Sequence, residues 1–362
     1  MKVLLRLLDK VRPTFEDGGR LHLLHPAFEA IEHFLFSPSQ TTITAPHVRD
    51  PLDLKRFMSM AIISLVPCIL AGLYFYGLRF IAIIVVSYAA GLTVELIFAI
   101  ARKEGINEGF FVTGILFPLI MPPAVPLWMV ALGVAFGVFI GKEIFGGTGR
   151  NLFNPALVGR CFLALAYPAQ MSGSWLAPAT ELGGRVLKYV DGSNLDAVTT
   201  ATPLALAKQG EFVSTAHMFV GNVAGSIGET SAIAILAGGI FLLMTRVGSW
   251  RTVVSTLASF AVLAAILRHA QPDRFGPVLW HLCAGGLLFG AFFMTTDPVT
   301  GPVTNTGKWL YGAVIGATTV LIRNFTGYVE GVTFAILLGN IVAPILDEAV
   351  FAVRLRRLRS EG

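Results

Sequence analysis

Apolar segments alternate with short polar segments along most of this chain. A helix needs about 20 apolar residues to cross the hydrocarbon core of a bilayer, and most of the apolar segments approach that length. The candidate spans are 57–77, 80–101, 109–124, 125–145, 154–168, 229–245, 252–268, 278–295, 308–323 and 331–350. The pattern therefore predicts an all-α polytopic membrane protein with about ten transmembrane helices.

The composition supports this fold class. The 362 residues are 54% hydrophobic and 14% charged, and the mean hydropathy is +0.71. Soluble domains carry about 25% charged residues, so a soluble globular protein is excluded. Cys68, Cys161 and Cys283 lie far apart in apolar runs, without the spacing of a zinc or iron–sulfur site. We expect them to be packing residues and expect no metal site.

The polar intervals divide the chain into five parts. Lys and Arg concentrate in the loops that an inside N-terminus would place in the cytoplasm, which predicts that both termini are cytoplasmic. We expect a cytoplasmic N-terminal arm (1–55) without a signal peptide, a first transmembrane repeat (56–168), an outer-face loop (169–228), a second repeat (229–351) and a basic tail (352–362). Amphipathic segments of the arm could simply anchor it to the membrane surface.

Two spans are short and carry prolines. Span 109–124 ends in Met121-Pro-Pro-Ala-Val-Pro126, and span 154–168 begins at Asn154-Pro155. Segments of this kind are typical of broken helices whose unwound ends line a site within the membrane.

One pair of segments indicates an internal repeat. In both 108–122 and 330–344, a Glu-Gly pair opens an apolar run, and a proline follows the glutamate by fourteen residues. With the orientation above, the two segments enter the membrane from opposite sides, as in an inverted repeat. The expected architecture is therefore two inverted repeats with short or broken helices.

A cluster of threonines stands out in the long polar interval, which contains Asp196-Ala-Val-Thr-Thr-Ala-Thr-Pro-Leu204. Pro203 biases Thr202 toward an extended backbone, and an extended, exposed hydroxyl is a reachable nucleophile for a modifying enzyme. A plain Ser/Thr-rich loop is the alternative interpretation.

Two further polar segments lie between apolar spans. Gly141-Lys-Glu-Ile-Phe-Gly-Gly-Thr-Gly-Arg-Asn-Leu-Phe-Asn-Pro155 combines glycines, which allow close backbone approach, with the amides of Asn151 and Asn154. Such amides match the polar edge of a heteroaromatic ring, although a Gly-rich turn that caps the next helix is equally consistent. In the segment 294–309, Asp297 could cap a helix or bind a ligand or an ion.

Ionisable residues inside spans are costly and are functional candidates by default. Glu95 lies in the middle of span 80–101, and neighbouring turns contain no basic residue. It could carry a cation, or it could be a protonated glutamate bonded to a facing helix. Asp347 and Glu348 lie near the end of the last span and could belong to the same ion pathway or be solvated at the interface. Lys142-Glu143 could be a mutually satisfied pair.

Several long motifs resemble one known family, the B subunits of the Na⁺-translocating NADH:quinone reductases, which are homologous to the D subunit of the Rnf complex. The motifs are His47-Val-Arg-Asp-Pro-Leu-Asp-Leu-Lys-Arg-Phe-Met58, Asn107-Glu-Gly-Phe-Phe-Val-Thr113, the segment 141–157, Tyr167-Pro-Ala-Gln-Met-Ser-Gly173, Gly221-Asn-Val-Ala-Gly-Ser-Ile-Gly-Glu229, Thr296-Asp-Pro-Val299 and Asn305-Thr-Gly-Lys-Trp309. The resemblance covers nearly the whole chain, and the long arm favours the reductase family over the Rnf type.

The resemblance implies particular cofactors. The family carries a covalent FMN, esterified through its phosphate to a threonine in an Asp-x-x-Thr/Ser-Gly-Ala-Thr motif. Here the acceptor position matches Thr202, and Thr200 replaces the glycine. The family also binds a non-covalent riboflavin in the membrane core, at positions matched by Asn151, Asn154 and Asp297. A ubiquinone site at Gly91 and the N-terminal arm is implied as well.

The resemblance also implies a cellular setting. It places the chain in the bacterial inner membrane, among the other subunits of the complex, especially the outer-face, FMN-carrying C subunit. A flavin transferase would attach the FMN, and Na⁺ would be the transported ion. We expect no nucleic-acid partner. The alternatives are an Rnf-type D subunit in ferredoxin:NAD electron transfer, and a passive channel or transporter built on inverted repeats.

Overall fold

The computed structural model describes residues 11–15, 19, 21, 24–36, 54–106, 109–179, 184–189, 201–272, 275–328 and 331–361. These residues form helices joined by loops, and none of them belongs to a strand. The first part of the motif His47–Met58 (47–53), Thr199, Thr200 and the two Glu-Gly glutamates, Glu108 and Glu330, lie outside the described residues.

The N-terminal part of the chain begins with a 3-10 turn, Arg12–Thr14, and the arm helix α1 (His25–Phe36). A first group of helices follows. The elements are α2 (Leu54–Tyr76), α3 (Leu78–Arg102), α4 (Gly109–Leu119), α5 (Leu127–Gly141), a 3-10 turn (Glu143–Phe145) and α6 (Pro155–Ala166).

Three short helices occupy the long polar interval, and a second group of helices completes the chain. The short helices are α7 (Pro168–Gly173), α8 (Pro203–Lys208) and α9 (Thr215–Val220). The second group comprises α10 (Ala232–Met244), α11 (Trp250–Ala270), α12 (Val278–Cys283), α13 (Leu287–Phe289) continued by a π-helix (Gly290–Met294), α14 (Asn305–Phe325) and α15 (Val332–Glu361).

Five of the described helices are long and apolar enough to cross a bilayer. They are Arg56–Tyr76, Leu78–Arg102, Leu127–Phe145, Trp250–Ala270 and Val332–Ser360, and α4, α6 and α10 are shorter apolar helices. Every predicted span coincides with a helix or a broken helix of the structure. The structure therefore confirms a helical, membrane-type fold, while the number of crossings stays a prediction.

Helices of the two groups pack in the same order. In the first group α5 packs against both α3 and α6, and in the second group α14 packs against both α11 and α15. Glycines allow the closest approaches. A side chain at Gly159 of α6 would strike the Gly133 carbonyl of α5, and one at Gly316 of α14 would strike the Thr256 carbonyl of α11. Such small-residue contacts are typical of helix packing in membranes. The two groups meet where α2 packs against α10.

The chain breaks after α4, and buried arginines satisfy the freed backbone. Arg79 Nε donates to the Pro123 carbonyl at 3.0 Å, and its Nη2 donates to the carbonyls of Ala124 at 3.2 Å and Val125 at 3.0 Å. Arg160 donates to the Ile120 carbonyl. Irregular backbone at membrane depth requires such internal partners, so the two arginines make the predicted break possible.

The matched segments 108–122 and 330–344 do not adopt the same structure. α4 contains Pro118 and ends at Leu119, three residues before Pro122, whereas α15 continues through Pro344. The segment 108–122 belongs to the third helix of the first group, α4, whereas 330–344 belongs to the last helix of the second group, α15. The sequence match therefore does not identify structurally equivalent helices, because apolar runs with a proline recur in membrane helices of different kinds.

Candidate functional site

Residues from both groups of helices line one cavity. We call it the central cavity; its volume is about 90 Å³. Its apolar lining comes mainly from α2, α4, α10 and the π-helix. Its polar lining comes from two segments, one between α5 and α6 and one between the π-helix and α14, and from Ser64 on α2 and Thr113 on α4. The polar residues are Ser64, Thr113, Lys142, Thr148, Asn151, Asn154, Thr296 and Asp297.

The structure brings the three predicted riboflavin-binding residues together in this cavity. Asn154 Oδ1 accepts hydrogen bonds from the Ala156 and Leu157 amides at 3.0 and 3.4 Å and so caps α6. Its Nδ2 donates to Asp297 Oδ2 at 3.4 Å, across 143 positions of sequence. The Asn154 side chain therefore caps α6 and also lines the cavity, so the capping interpretation and the ligand-binding interpretation are compatible.

Asp297 is not the helix cap that its position before a proline allowed. Its Oδ1 accepts from the Val299 amide at 3.0 Å, which is a local turn, and α14 begins eight residues later with Thr304 as its N-cap. Burial raises the pKa of the Asp297 carboxyl above its ordinary value, and hydrogen bonds from Val299, Thr300 and Asn154 offset only part of that rise.

Asn151 holds the glycine-rich segment in shape. Its Oδ1 accepts from the Gly149 amide at 3.2 Å, and its Nδ2 donates to the Phe153 carbonyl at 3.1 Å. Gly149 has a φ of +90°, which non-glycine residues rarely adopt. The asparagine and the glycine together place the buried Asn151 amide against the cavity.

The turns next to Glu95 contain no basic residue, and its basic partner comes from another helix. Lys142 Nζ, at the end of α5, donates to Glu95 Oε1, and both side chains are only 4% exposed. The suggested Lys142–Glu143 pair was wrong, since Arg102 Nη1 donates to Glu143 Oε2 at 2.8 Å. Neighbours in sequence at a helix end point in different directions, so each acid pairs with a base from another helix.

Thr202 lies at the edge of a second, larger cavity of about 620 Å³, which we call the threonine cavity. Its backbone is extended, as predicted, with φ −67° and ψ 155°. Its hydroxyl accepts from the Ala205 amide at 3.3 Å and caps α8. The residue is half-buried and not fully exposed. The lining also includes three large aromatic side chains: Trp175, Tyr328 and Phe334.

A buried ion pair lines the threonine cavity. Arg160 Nη1 donates to Glu229 Oε1 at 3.2 Å, and Arg160 Nη2 donates to Ser226 Oγ at 3.2 Å. Sequence reasoning did not identify this pair, although an arginine inside an apolar span is itself a signal of function. Pro155 of α6 lines the central cavity, and Arg160, five residues later on the same helix, lines the threonine cavity. At a rise of 1.5 Å per residue, the two positions lie about 8 Å apart along the helix axis.

Gly91 lies on the buried face of α3, one turn before Glu95. A side chain added there would meet the Phe110 ring of α4 at 3.1 Å. Ala27 and Ala30 of the arm helix α1 belong to the same hydrophobic cluster as Phe110. The structure therefore places the arm beside the predicted quinone residue, although Gly91 lines neither of the two cavities.

Asp347 is an anchor for the loop before α14. Its carboxylate accepts from the Val303 amide at 2.7 Å, the Thr304 amide at 3.0 Å and the Thr304 hydroxyl at 2.5 Å. It does not contact the Glu95 pair, so the structure does not join the two residues of the predicted ion pathway into one site. Glu348 is exposed.

Fold and sites together define a class: a helical, membrane-type protein with two mainly apolar cavities that carry polar and charged side chains, one of them edged by an extended threonine. A family model described as "NQR2, RnfD, RnfE family" matches residues 41–355. The chain belongs to this family.

Similar proteins support this assignment over the full length. The chain is 38% identical to the B subunit of the Na⁺-translocating NADH-quinone reductase of Azotobacter vinelandii, with 98% of each chain covered. It is also 38% identical to the B subunits of the same reductase from Ectopseudomonas mendocina, with 97% of each chain covered, and Klebsiella pneumoniae strain 342, with 98% of this chain and 99% of the relative covered.

Proposed function

We propose that this chain is the membrane redox subunit of a Na⁺-translocating NADH:ubiquinone oxidoreductase. Electrons would pass from an FMN held covalently at Thr202 to a riboflavin in the central cavity and then to ubiquinone, coupled to movement of Na⁺. The flavins supply the electron chemistry when bound, and the protein supplies position and electrostatics. The observation that carries the proposal is the adjacency of the threonine cavity and the central cavity along α6.

The threonine cavity fits an FMN phosphoester. Its volume of about 620 Å³ lies in the range of small-molecule sites, about 300–1,000 Å³. The Thr202 hydroxyl is at its edge, aromatic side chains offer faces for a flat ring, and the Arg160 guanidinium offers a positive charge. An oxygen esterified to phosphate keeps lone pairs, so α8 can retain its cap.

The polar groups that line the central cavity suit riboflavin, but the cavity is smaller than riboflavin needs. Amides of Asn151 and Asn154 can both donate and accept at a ring edge, and Phe57 and Phe293 line the apolar part. Its volume of about 90 Å³ is smaller than ligand sites generally are. Riboflavin would therefore bind only with a local opening of the lining side chains.

Quinone would bind between Gly91 and the arm helix. The support is that Ala27 and Ala30 of the arm helix belong to the same hydrophobic cluster as Phe110, whose ring lies against Gly91 on the buried face of α3. Glu95 lies one turn further along this face, and a buried carboxylate there suits a hard cation such as Na⁺. Asp347 would act in the ion pathway only indirectly, through the loop that it holds.

The same packing order in both groups of helices supports the predicted inverted repeat and its ten crossings. We place the chain in the bacterial inner membrane with both termini in the cytoplasm and Thr202 on the outer face. There a flavin transferase would modify it, and the C subunit of the complex would supply electrons. Basic residues at the end of α15, Arg354, Arg356, Arg357 and Arg359, favour a cytoplasmic C-terminus.

Two other functions predict different behaviour. A passive channel or transporter would have no use for a modified Thr202, and its denatured chain would carry no flavin fluorescence in a gel. An Rnf-type D subunit would pass electrons without quinone, and its complex would be insensitive to a quinone-site inhibitor.

The proposal is tested by flavin analysis of the chain purified from its native complex. Tryptic digestion should yield one fluorescent peptide that contains Thr202, and acid extraction should release one riboflavin per chain. A fluorescent peptide that lacks Thr202 would contradict the site, and a native complex that transfers electrons from NADH but does not reduce quinone would contradict the activity.

A further inference from the structure

Two aromatic side chains form a pair in the wall of the threonine cavity. Tyr328 and Phe334 both line this cavity, and their ring centroids lie 5.1 Å apart with the ring planes inclined by 54°. Tyr328 is nevertheless 46% exposed, so part of its ring is open to a further contact. Because aromatic rings associate favourably at such spacings, a third flat ring in the cavity can extend the pair.

The loop after α14 fixes the backbone of Tyr328. The Thr326 hydroxyl donates to the Ile322 carbonyl in the last turn of α14 at 2.6 Å, and it accepts a hydrogen bond from the Tyr328 amide at 3.2 Å. Thr326 therefore determines where the chain leaves α14 and, with it, where Tyr328 lies.

Lys208 ties this loop to the helix that begins at Thr202. Its Nζ donates to the carbonyls of Thr326 and Tyr328, each at 3.0 Å, and a cation is favourable beside the carbonyls at the end of a helix such as α14. Lys208 is the last of the six residues of α8, and Thr202 is the N-cap of that helix. At a rise of 1.5 Å per residue, the two positions lie about 9 Å apart along the axis. One short helix therefore sets the distance between the Thr202 hydroxyl and the loop that carries Tyr328.

We propose that Tyr328, backed by Phe334, covers the flat ring of the flavin attached at Thr202, and that Lys208 is a positioning residue that holds Tyr328 over this ring. The isoalloxazine is a planar aromatic system, and a stacked tyrosine shields one of its faces from water. Lys208 does not line the cavity, so it acts through the loop and not on the ring itself. The inference rests on the proposed function, which supplies the flavin.

The test is the access of iodide to the covalent flavin in the purified full chain. The rate constant for collisional quenching is obtained from emission lifetimes, after the emission of the Thr202→Ala chain has been subtracted so that only the covalent flavin counts. Tyr328→Ala should raise this rate constant by roughly threefold or more, because the flavin ring loses its stacked neighbour. Lys208→Met should raise it by a smaller factor. In the double variant, Lys208→Met should add nothing to the effect of Tyr328→Ala, because Lys208 acts through Tyr328.

Three variants serve as controls. Tyr189 is 52% exposed but does not line the threonine cavity, so Tyr189→Ala should keep the wild-type rate constant. Tyr328→Phe keeps the aromatic ring and should also keep the wild-type value. Lys208→Arg keeps a cationic donor for the two carbonyls and should behave like the wild type.

The outcomes separate the inference from the proposed function. A wild-type rate constant in a flavin-bearing Tyr328→Ala chain, or an equal rise in Tyr189→Ala, would overturn the cover and leave the proposed function standing. Effects of Lys208→Met and Tyr328→Ala that multiply fully in the double variant would overturn the positioning role of Lys208. A wild-type chain without covalent flavin would contradict the proposed function and the inference with it.

Discussion

At the scale of single residues, Thr202 combines a structural and a chemical role in one hydroxyl. It caps α8 through the Ala205 amide, and in our proposal it carries the flavin. Thr202→Ala should remove the covalent flavin and also loosen α8, because loss of a threonine cap costs about 0.5–2 kcal/mol. Hydrogen exchange at the α8 amides should accelerate, and the chain should lose its fluorescence in a denaturing gel.

Thr202→Ser is the matched control, because serine keeps both the cap and a hydroxyl. It should restore the exchange protection of α8. Fluorescence that persists on the Thr202→Ala chain would show that Thr199 or Thr200 is the modified residue.

Asn154 likewise combines a structural role, as the cap of α6, with a proposed role in binding a ligand in the central cavity. Asn154→Ala should lower the affinity for riboflavin by about 1–3 kcal/mol, the cost of losing one partner of a buried hydrogen bond, while the FMN on Thr202 remains. Riboflavin released on acid extraction, relative to covalent FMN, measures the effect.

Asn154→Ser distinguishes ligand binding from capping. Serine caps helices as well as asparagine does but lacks the amide that reaches Asp297. Riboflavin content that is normal in Asn154→Ser and low in Asn154→Ala would assign Asn154 to the capping of α6 alone.

At the scale of elements, the break after α4 depends on Arg79. Arg79→Met leaves three backbone carbonyls without this donor, and each unsatisfied buried group costs about 1–3 kcal/mol. The melting temperature of the purified chain in detergent should fall clearly. Arg354→Met, at an exposed position of α15, should leave it nearly unchanged. Equal melting temperatures for both variants would mean that water satisfies the break.

The positions of the helices were predictable, and the partners of buried charges were not. Apolar runs and prolines locate the ten segments and the break before Pro122, because length and backbone chemistry are local properties. The partner of Glu95 is Lys142, 47 positions away, and no local pattern identifies a pairing between helices. The repeat predicted from 108–122 and 330–344 stays a prediction for the same reason: local similarity does not establish equivalent packing.

Of the candidate site, the grouping of Asn151, Asn154 and Asp297 was anticipated through the resemblance, and the structure confirms that they share one cavity. The Arg160–Glu229 pair at the threonine cavity was missed, although the charge of Arg160 within an apolar span was visible. The contact of Asp347 with the Thr304 loop depends on tertiary packing that the sequence does not reveal.

At the scale of the whole molecule, our proposal gives Glu95 the role of connecting electron transfer to ion movement. Glu95→Gln keeps the shape and hydrogen-bonding capacity of the side chain but removes its charge. Quinone reduction by the assembled complex should therefore need more Na⁺ to reach half of its maximal rate. A Na⁺ titration of the rate measures this directly.

Glu143→Gln is the matched control, since Glu143 is equally buried and pairs with Arg102. It should keep the wild-type Na⁺ requirement. A normal requirement in Glu95→Gln, with normal assembly, would leave Glu95 a structural partner of Lys142.

The central claim is that this chain carries its own covalent flavin at the edge of the threonine cavity, and the intact mass of the chain purified from its native membrane tests it most directly. Our account predicts the mass of the polypeptide plus one FMN less one water, and the unmodified polypeptide mass for Thr202→Ala. A wild-type chain at the unmodified mass, purified with its transferase present, would contradict the account.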